Sequence, residues 1–144
     1  MRVDFYQLGG APVEQVVAKL AQKVVDGGER LLVIASDEAF LARLDRLLWD
    51  VGKTGFLPHG LAGGSADSRQ PILLSTTPDA ANVARNLLIA DGEWRDAALN
   101  FQRAFYLFDT DTIAEARTAW KRLSGEGVEP HYWTQERGRW SEKA

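Results

Sequence analysis

Apolar residues follow two patterns along this chain, short unbroken runs and longer stretches with an apolar residue at every third or fourth position. Unbroken apolar runs are typical of strands that are buried on both faces of a parallel sheet. They predict five strands, at 3–8, 30–36, 71–76, 86–91 and 103–109. The tail, 129–140, is compatible with one further short strand.

The helical spacing of the longer stretches predicts three amphipathic helices, at 11–28, 37–51 and 110–124. Shorter helical turns are expected within 77–86 and 93–101. Strands that alternate with amphipathic helices favour an α/β fold, an open and mainly parallel sheet with helices on its faces. At 144 residues, the chain is expected to form a single domain, 1–144, with a full hydrophobic core.

The segment GFLPHGLAGG, 55–64, places Phe56, Leu57, Pro58 and His59 between glycines. Glycine and proline at this density exclude a helix or a long strand. Apolar residues in such a loop are costly to expose to water. Two interpretations remain open: Phe56 and Leu57 pack under the sheet edge as core, or they form an interface with another molecule.

Composition and charge narrow the functional classes. The chain is 45% hydrophobic and 26% charged, as expected of a globular protein, and it has no cysteine, which excludes disulfides and thiolate metal sites. The formal net charge of −3 argues against a dedicated nucleic-acid binder. The first residues lack the pattern of a signal peptide, and no apolar run has the length of a membrane span, so a cytoplasmic location with no membrane partner is expected.

Catalytic and cofactor motifs are weak. The first strand–helix turn, LGGAPVE, lacks the G-x-G-x-x-G spacing, and GLAGGS lacks the Lys-Ser/Thr of a phosphate-binding loop. His59 and His131, the two histidines, have no partner at metal-ligand spacing, and no serine lies in G-x-S-x-G. We therefore expect no cofactor, no metal and no catalytic residue. A nucleotide-binding α/β enzyme remains the alternative.

The last predicted helix carries the most informative charges. Arg117 and Lys121 are four residues apart, so they share one face and repel each other, and Trp120 lies beside them. This arrangement suits an anion joined to an apolar group, such as a peptide carboxyl terminus. From spacing alone, a solvated charged face compensated by Glu115 or Asp111 is the simpler interpretation.

The order and spacing of several segments resemble one known family. They are VDFYQL, RLLVIASDEAFLARLDRLLW, FLPHGLAGG, QPILLST, NLLIADGE, FQRAFYLFD, AEARTAWKRLSGEG and HYWTQERGRW. Together they are similar, nearly end to end, to the chi subunits of bacterial DNA polymerase III holoenzyme. The resemblance implies a Rossmann-like α/β fold and a non-enzymatic accessory subunit of the clamp loader, active in DNA replication.

The resemblance also implies partners. Chi subunits bind the acidic carboxyl-terminal tail of single-stranded DNA-binding protein, which ends in a phenylalanine. That site maps onto Arg117 for the carboxylate, with Lys121 as a neighbour and with Trp120 and Tyr106 as the walls of the phenylalanine pocket. A second basic residue of some family members falls on Ile113, where this chain departs from the pattern.

A second surface is implied for the psi subunit, another clamp-loader component or, in some members, a helicase. It maps onto Trp49, Phe56, Leu57 and Pro58, with Phe56 and Leu57 as an apolar anchor. Strong direct binding of nucleic acid is not expected.

Overall fold

The structure is a computed structural model that describes residues 1–51 and 57–143. The strands of the described residues are β1 (Arg2–Gln7), β2 (Leu31–Ile34), β3 (His59–Leu61), β4 (Ile72–Ser75), β5 (Asn86–Ile89), β6 (Arg103–Phe108), β7 (Glu129–Glu136) and β8 (Arg139–Lys143). The α-helices are α1 (Val13–Asp26), α2 (Glu38–Val51) and α3 (Ile113–Leu123). Two short 3₁₀ helices, Asp67–Arg69 and Asp96–Asn100, lie in connections.

All eight strands form one sheet in the order β3-β4-β2-β5-β6-β1-β7-β8. Every neighbouring pair is parallel except the last, because β7 and β8 are consecutive and join through a tight turn. The sheet and its helices confirm the expected open, mainly parallel α/β fold, which is compatible with a Rossmann-like arrangement.

The five strands expected from apolar runs are present, each within two or three residues of its predicted bounds. Sequence analysis missed β3, which has only three residues, and counted one strand in the tail where there are two. The tail strands were hard to recognise because their side chains are only partly covered, so their sequence mixes charged and aromatic residues. The helix suggested within 77–86 is absent, whereas Asp96–Asn100 provides the expected helical turn.

Alternate residues of each strand divide the core into two halves. We call the side that packs against α1 and α2 the α1 face; there Tyr6 and Phe105 meet Val17 of α1 and Leu44 of α2. We call the opposite side the α3 face. Its buried residues include Phe5, Tyr106, Phe108, Ala116 and Leu123. Helices on both faces explain why the central strands are apolar at every position.

Helix α1 ends where its sequence predicts. The amide of Gly27 donates to the carbonyl of Lys23, and Gly28, with a φ of 79°, donates to Val25. Glycine adopts this left-handed conformation without the steric cost that a β-carbon imposes. The chain can therefore turn at once into β2.

None of the helices in the described part of the chain combines the length and the apolar character needed to cross a bilayer.

Candidate functional site

The turn that leads into helix α3 is held by hydrogen bonds to Asp109. Asp109 accepts hydrogen bonds through Oδ1 from the amides of Asp111 and Thr112, at 3.0 and 3.1 Å, and from the hydroxyl of Thr112. A carboxylate at this end also complements the positive pole of the helix dipole. These bonds lie just before Ile113, the first residue of α3, so they orient the chain as it enters the helix.

Alanines and a leucine, Ala116, Ala119 and Leu123, form the buried side of α3. Arg117 and Lys121 lie on the exposed side, one turn apart, as their spacing predicts. Within the described residues, neither side chain has a carboxylate within 4 Å. The repulsion between them is therefore not relieved by an ion pair with this chain's own described residues.

Trp120 lies partly buried between α3 and the sheet. Its ring is edge-on to Phe5, with centroids 5.0 Å apart, and edge-on to Tyr132, at 5.7 Å. The Tyr132 hydroxyl donates to Gln7 Oε1 at 2.6 Å. Burial raises the pKa of Tyr132, while the positive charge of Arg117 acts in the opposite direction.

Tyr132 is thus an aromatic neighbour of Trp120, and sequence analysis did not single it out. It belongs to β7, of which residues 129–134 pair in parallel with β1 beneath α3. The aromatic pair at 132–133 within an alternating tail was the available signal. It could not be used because nothing in the sequence shows that the tail returns to lie beside β1.

Tyr106 was expected beside Trp120 in this site, but the structure places it elsewhere. It has no exposed surface, its hydroxyl donates to the carbonyl of Gly92 at 2.7 Å, and burial raises its pKa. Its ring lies 5.3 Å from Trp94, while Phe5 lies within 5.5 Å of Tyr106 and 5.0 Å of Trp120. Tyr106 therefore supports the core behind the site and does not border its surface.

Ile113 also belongs to the core rather than to the rim of the site. It is partly buried and packs against the apolar cluster of the α3 face. The exposed cations of α3 that lie near Trp120 are Arg117 and Lys121. Arg122, by contrast, is paired with Asp96, which also accepts a hydrogen bond from Trp94 Nε1 at 2.9 Å.

The residues expected on the second partner surface include both exposed and buried ones in the structure. Trp49, near the end of α2, is 58% exposed, and Pro58 is partly exposed. Leu57 is 3% exposed and belongs to the core of the α1 face, so it follows the first of the two interpretations of this loop. Phe56 lies outside the described residues.

His59 connects Trp49 to this core. Its ring nitrogens lie 2.9 Å from the carbonyl oxygens of Leu57 and Asp45, and its ring centroid lies 4.7 Å from that of Trp49. Burial and these backbone contacts give His59 a role in holding the loop. The contact with His59 holds Trp49 in place, while most of the surface of Trp49 stays exposed.

Within residues 1–51 and 57–143, no group of three or more histidine, cysteine or acidic side chains is placed to hold a metal ion.

Comparison with known proteins identifies the family. The family described as "DNA polymerase III chi subunit, HolC" matches residues 1–131. The chain belongs to this family. The fold and the family resemblance inferred from the sequence are both confirmed.

Three curated relatives are each called DNA polymerase III subunit chi. The Escherichia coli protein is 31% identical over 97 residues, which are 67% of this chain and 64% of the relative. The Pseudomonas aeruginosa protein is 35% identical over 91 residues, 61% of this chain and 62% of the relative, and the Haemophilus influenzae protein is 27% identical over 118 residues, 80% and 82%. The matches to the first two chi proteins thus span less than two thirds of those proteins.

Proposed function

We propose that this chi-family chain is a non-catalytic adaptor of the replicative DNA polymerase III. Helix α3 would bind the acidic carboxyl-terminal tail of single-stranded DNA-binding protein. The region of Trp49 and Pro58 would bind a clamp-loader component such as psi, or a helicase. The observation that carries the proposal is the exposed pair Arg117 and Lys121, which has no carboxylate within 4 Å among the described residues, beside the partly exposed ring of Trp120.

The chemistry of such a tail fits this surface. A terminal carboxylate and neighbouring acidic side chains would relieve the repulsion between Arg117 and Lys121, and a guanidinium can hold a carboxylate through two parallel hydrogen bonds. A terminal phenylalanine would add an aromatic ring to the edge-on arrangement of Trp120 and Tyr132. Each part of the ligand therefore has a counterpart on the helix or on β7.

The position of Trp49 supports a separate partner surface. The indole of Trp49 is 58% exposed and is held in place by His59. Large aromatic side chains of this kind often contribute most of the binding energy of an interface. It lies near β3, at one end of the sheet, whereas α3 covers β1 near the other end. Five strand spacings separate β3 from β1, which corresponds to roughly 24 Å at the usual distance between strands.

The first test is titration with an acidic peptide that ends in Asp-Ile-Pro-Phe with a free carboxylate. We expect micromolar binding that weakens with added salt, and at least about tenfold weaker binding for Arg117→Gln, since a charged hydrogen bond is lost. Isothermal titration calorimetry measures both. The same peptide with an amidated carboxyl terminus should lose a similar factor against the unaltered protein.

Arg122→Gln is the matched control, because it removes the same charge from the same helix at a position already paired with Asp96. It should bind the peptide as tightly as the unaltered protein. If Arg117→Gln bound the peptide as tightly as the unaltered protein, the tail site would not be on α3. If Arg117→Gln and Arg122→Gln lost the same peptide affinity, general electrostatic attraction to the helix would account for the binding, and no specific site would be needed.

A further inference from the structure

A groove on the α1 face, away from both proposed partner surfaces, has features that the adaptor role does not use. It runs between helix α1 and strands β1, β6, β7 and β8, and its volume is about 470 Å³. Four aromatic side chains line it, Tyr6, Phe105, Trp133 and Trp140. The apolar side of α1 forms the opposite wall.

The aromatic rings form a fixed platform. Trp133 stacks on Tyr6 with an angle of 11° between the planes and 5.9 Å between the centroids, and Trp140 meets Tyr6 edge-on at 5.0 Å. Tyr6 is buried, whereas Trp133 and Trp140 keep part of their surface exposed. The pairing of β7 with β8 is what brings the two indoles together.

Positive charge surrounds this platform. Arg2 and Arg103 both bind the buried Asp4, at 2.9 and 2.8 Å, so these three groups carry a net charge of +1. Lys19 and Lys23 line the same groove from α1, exposed and one helical turn apart. Among the described residues, neither lysine has a carboxylate within 4 Å.

Glu142 lies opposite Trp133 across the hairpin, and with a protonated His131 the group of Glu129, His131 and Glu142 carries a net charge of −1, against +3 for Lys19, Lys23 and the Asp4 cluster. Glu129 and Glu142 both hydrogen bond to His131. The groove therefore concentrates positive charge in a chain whose formal net charge is −3. Whatever fills it is expected to be anionic and to have a flat apolar part.

We propose that the groove binds a short stretch of single-stranded nucleic acid, with bases against Trp133 and Trp140 and phosphates at Lys19 and Lys23. Aromatic rings beside a basic groove are the arrangement by which proteins hold single strands without reading their sequence. An acidic peptide such as the tail proposed for α3 carries one terminal aromatic ring, whereas successive bases would give each of the two partly exposed indoles a flat partner. The observations therefore favour the nucleic acid.

This interaction is expected to be weak because the groove offers few positive charges to the phosphates. Two free lysines neutralise few phosphates, so binding alone does not make the chain a dedicated nucleic-acid protein. The groove and α3 lie on opposite faces of the sheet, so the proposal does not depend on the tail site. A strand could be held on one face while a protein tail is held on the other.

The experiment is a fluorescence anisotropy titration of a labelled oligodeoxythymidylate, about ten nucleotides long, at low salt. We expect measurable binding, with an affinity that falls with salt at a logarithmic slope near 1.4 for two phosphate contacts. The variant K19E/K23E should bind at least about tenfold more weakly. Both lysines are exposed, so this variant is expected to fold normally.

R43E/R46E is the control, since it makes the same change of charge at two exposed cations of the neighbouring helix α2, outside the groove. It should keep the oligonucleotide affinity of the unaltered protein. No binding at low salt, or equal weakening in the control, would overturn the proposal. It would also be overturned if polyglutamate displaced the oligonucleotide at equal charge concentration, because the groove would then be a site for acidic peptides.

Discussion

At the scale of single residues, Asp4 shows how a buried charge is tolerated in this fold. Its side chain has no exposed surface, and it accepts hydrogen bonds from Arg2, from Arg103 at 2.8 Å and from Trp133 Nε1 at 3.0 Å. Burial alone would raise the pKa of Asp4, but these three donors together hold it below its usual value. One carboxylate thus joins β1, β6 and β7.

We predict that Asp4→Asn lowers the free energy of unfolding by about 2 kcal/mol at neutral pH, because two arginines lose their shared counter-charge. Urea unfolding measures this difference. Since the folded-state pKa of Asp4 is depressed, its contribution is present above the unfolded value near 3.8 and is lost as the pH falls through the folded value.

The difference between the two proteins should therefore be constant from neutral pH down to about pH 5 and shrink in more acidic solution. Asp79→Asn, at an exposed position, is the control and should change stability little at any pH. A stability difference that grew on acidification would contradict the role given to the carboxylate.

At the scale of elements, the β7–β8 hairpin forms one edge of the sheet, and its strands are only partly covered. Every residue of the two strands keeps part of its surface exposed, and β8 pairs with β7 alone. His131 adds a link between the strands, since it hydrogen bonds to Glu129 on its own strand and to Glu142 on β8. The bond to Glu129 and then that to Glu142 raise the pKa of His131.

We predict that His131→Gln loosens this hairpin in a pH-dependent way. A raised folded-state pKa means that the contribution of His131 is complete below its unfolded value near 6.5 and is lost as the pH rises through the folded value. Native-state amide exchange in β8 should therefore be faster in His131→Gln than in the unaltered protein at mildly acidic pH. At alkaline pH the two proteins should exchange alike.

The central strands serve as the internal reference, because their amides should show no difference between the two proteins at either pH. A difference that persisted at alkaline pH would mean that the side chain acts by packing and not through its charge.

At the scale of the whole molecule, the sheet order sets the distance between the two proposed partner surfaces. Trp49 lies with β3 and β4, and the Arg117 site lies over β1 and β7. The strands between them are buried on both faces and form one continuous layer. Ligands at the two ends are therefore expected not to compete.

We predict that a clamp-loader partner and the acidic tail peptide bind this chain at the same time, with peptide affinity changed by less than about threefold. Trp49→Ala should remove the partner and leave both the peptide affinity and the melting temperature unchanged, because the side chain is mostly exposed. Co-sedimentation of the ternary mixture tests simultaneous binding. Leu57→Ala, in the core, should instead lower the melting temperature.

The sequence alone determined the fold class, the central strands, the three helices and the exposure of Arg117 and Lys121. These follow from local periodicity, because a residue's place on a helix or strand is set by its spacing from its neighbours. The tertiary structure decided what the sequence left open: Tyr132 rather than Tyr106 beside Trp120, Leu57 in the core, and β7 beside β1. Those outcomes depend on pairing between segments far apart in the chain, and periodicity carries no information about which segments meet.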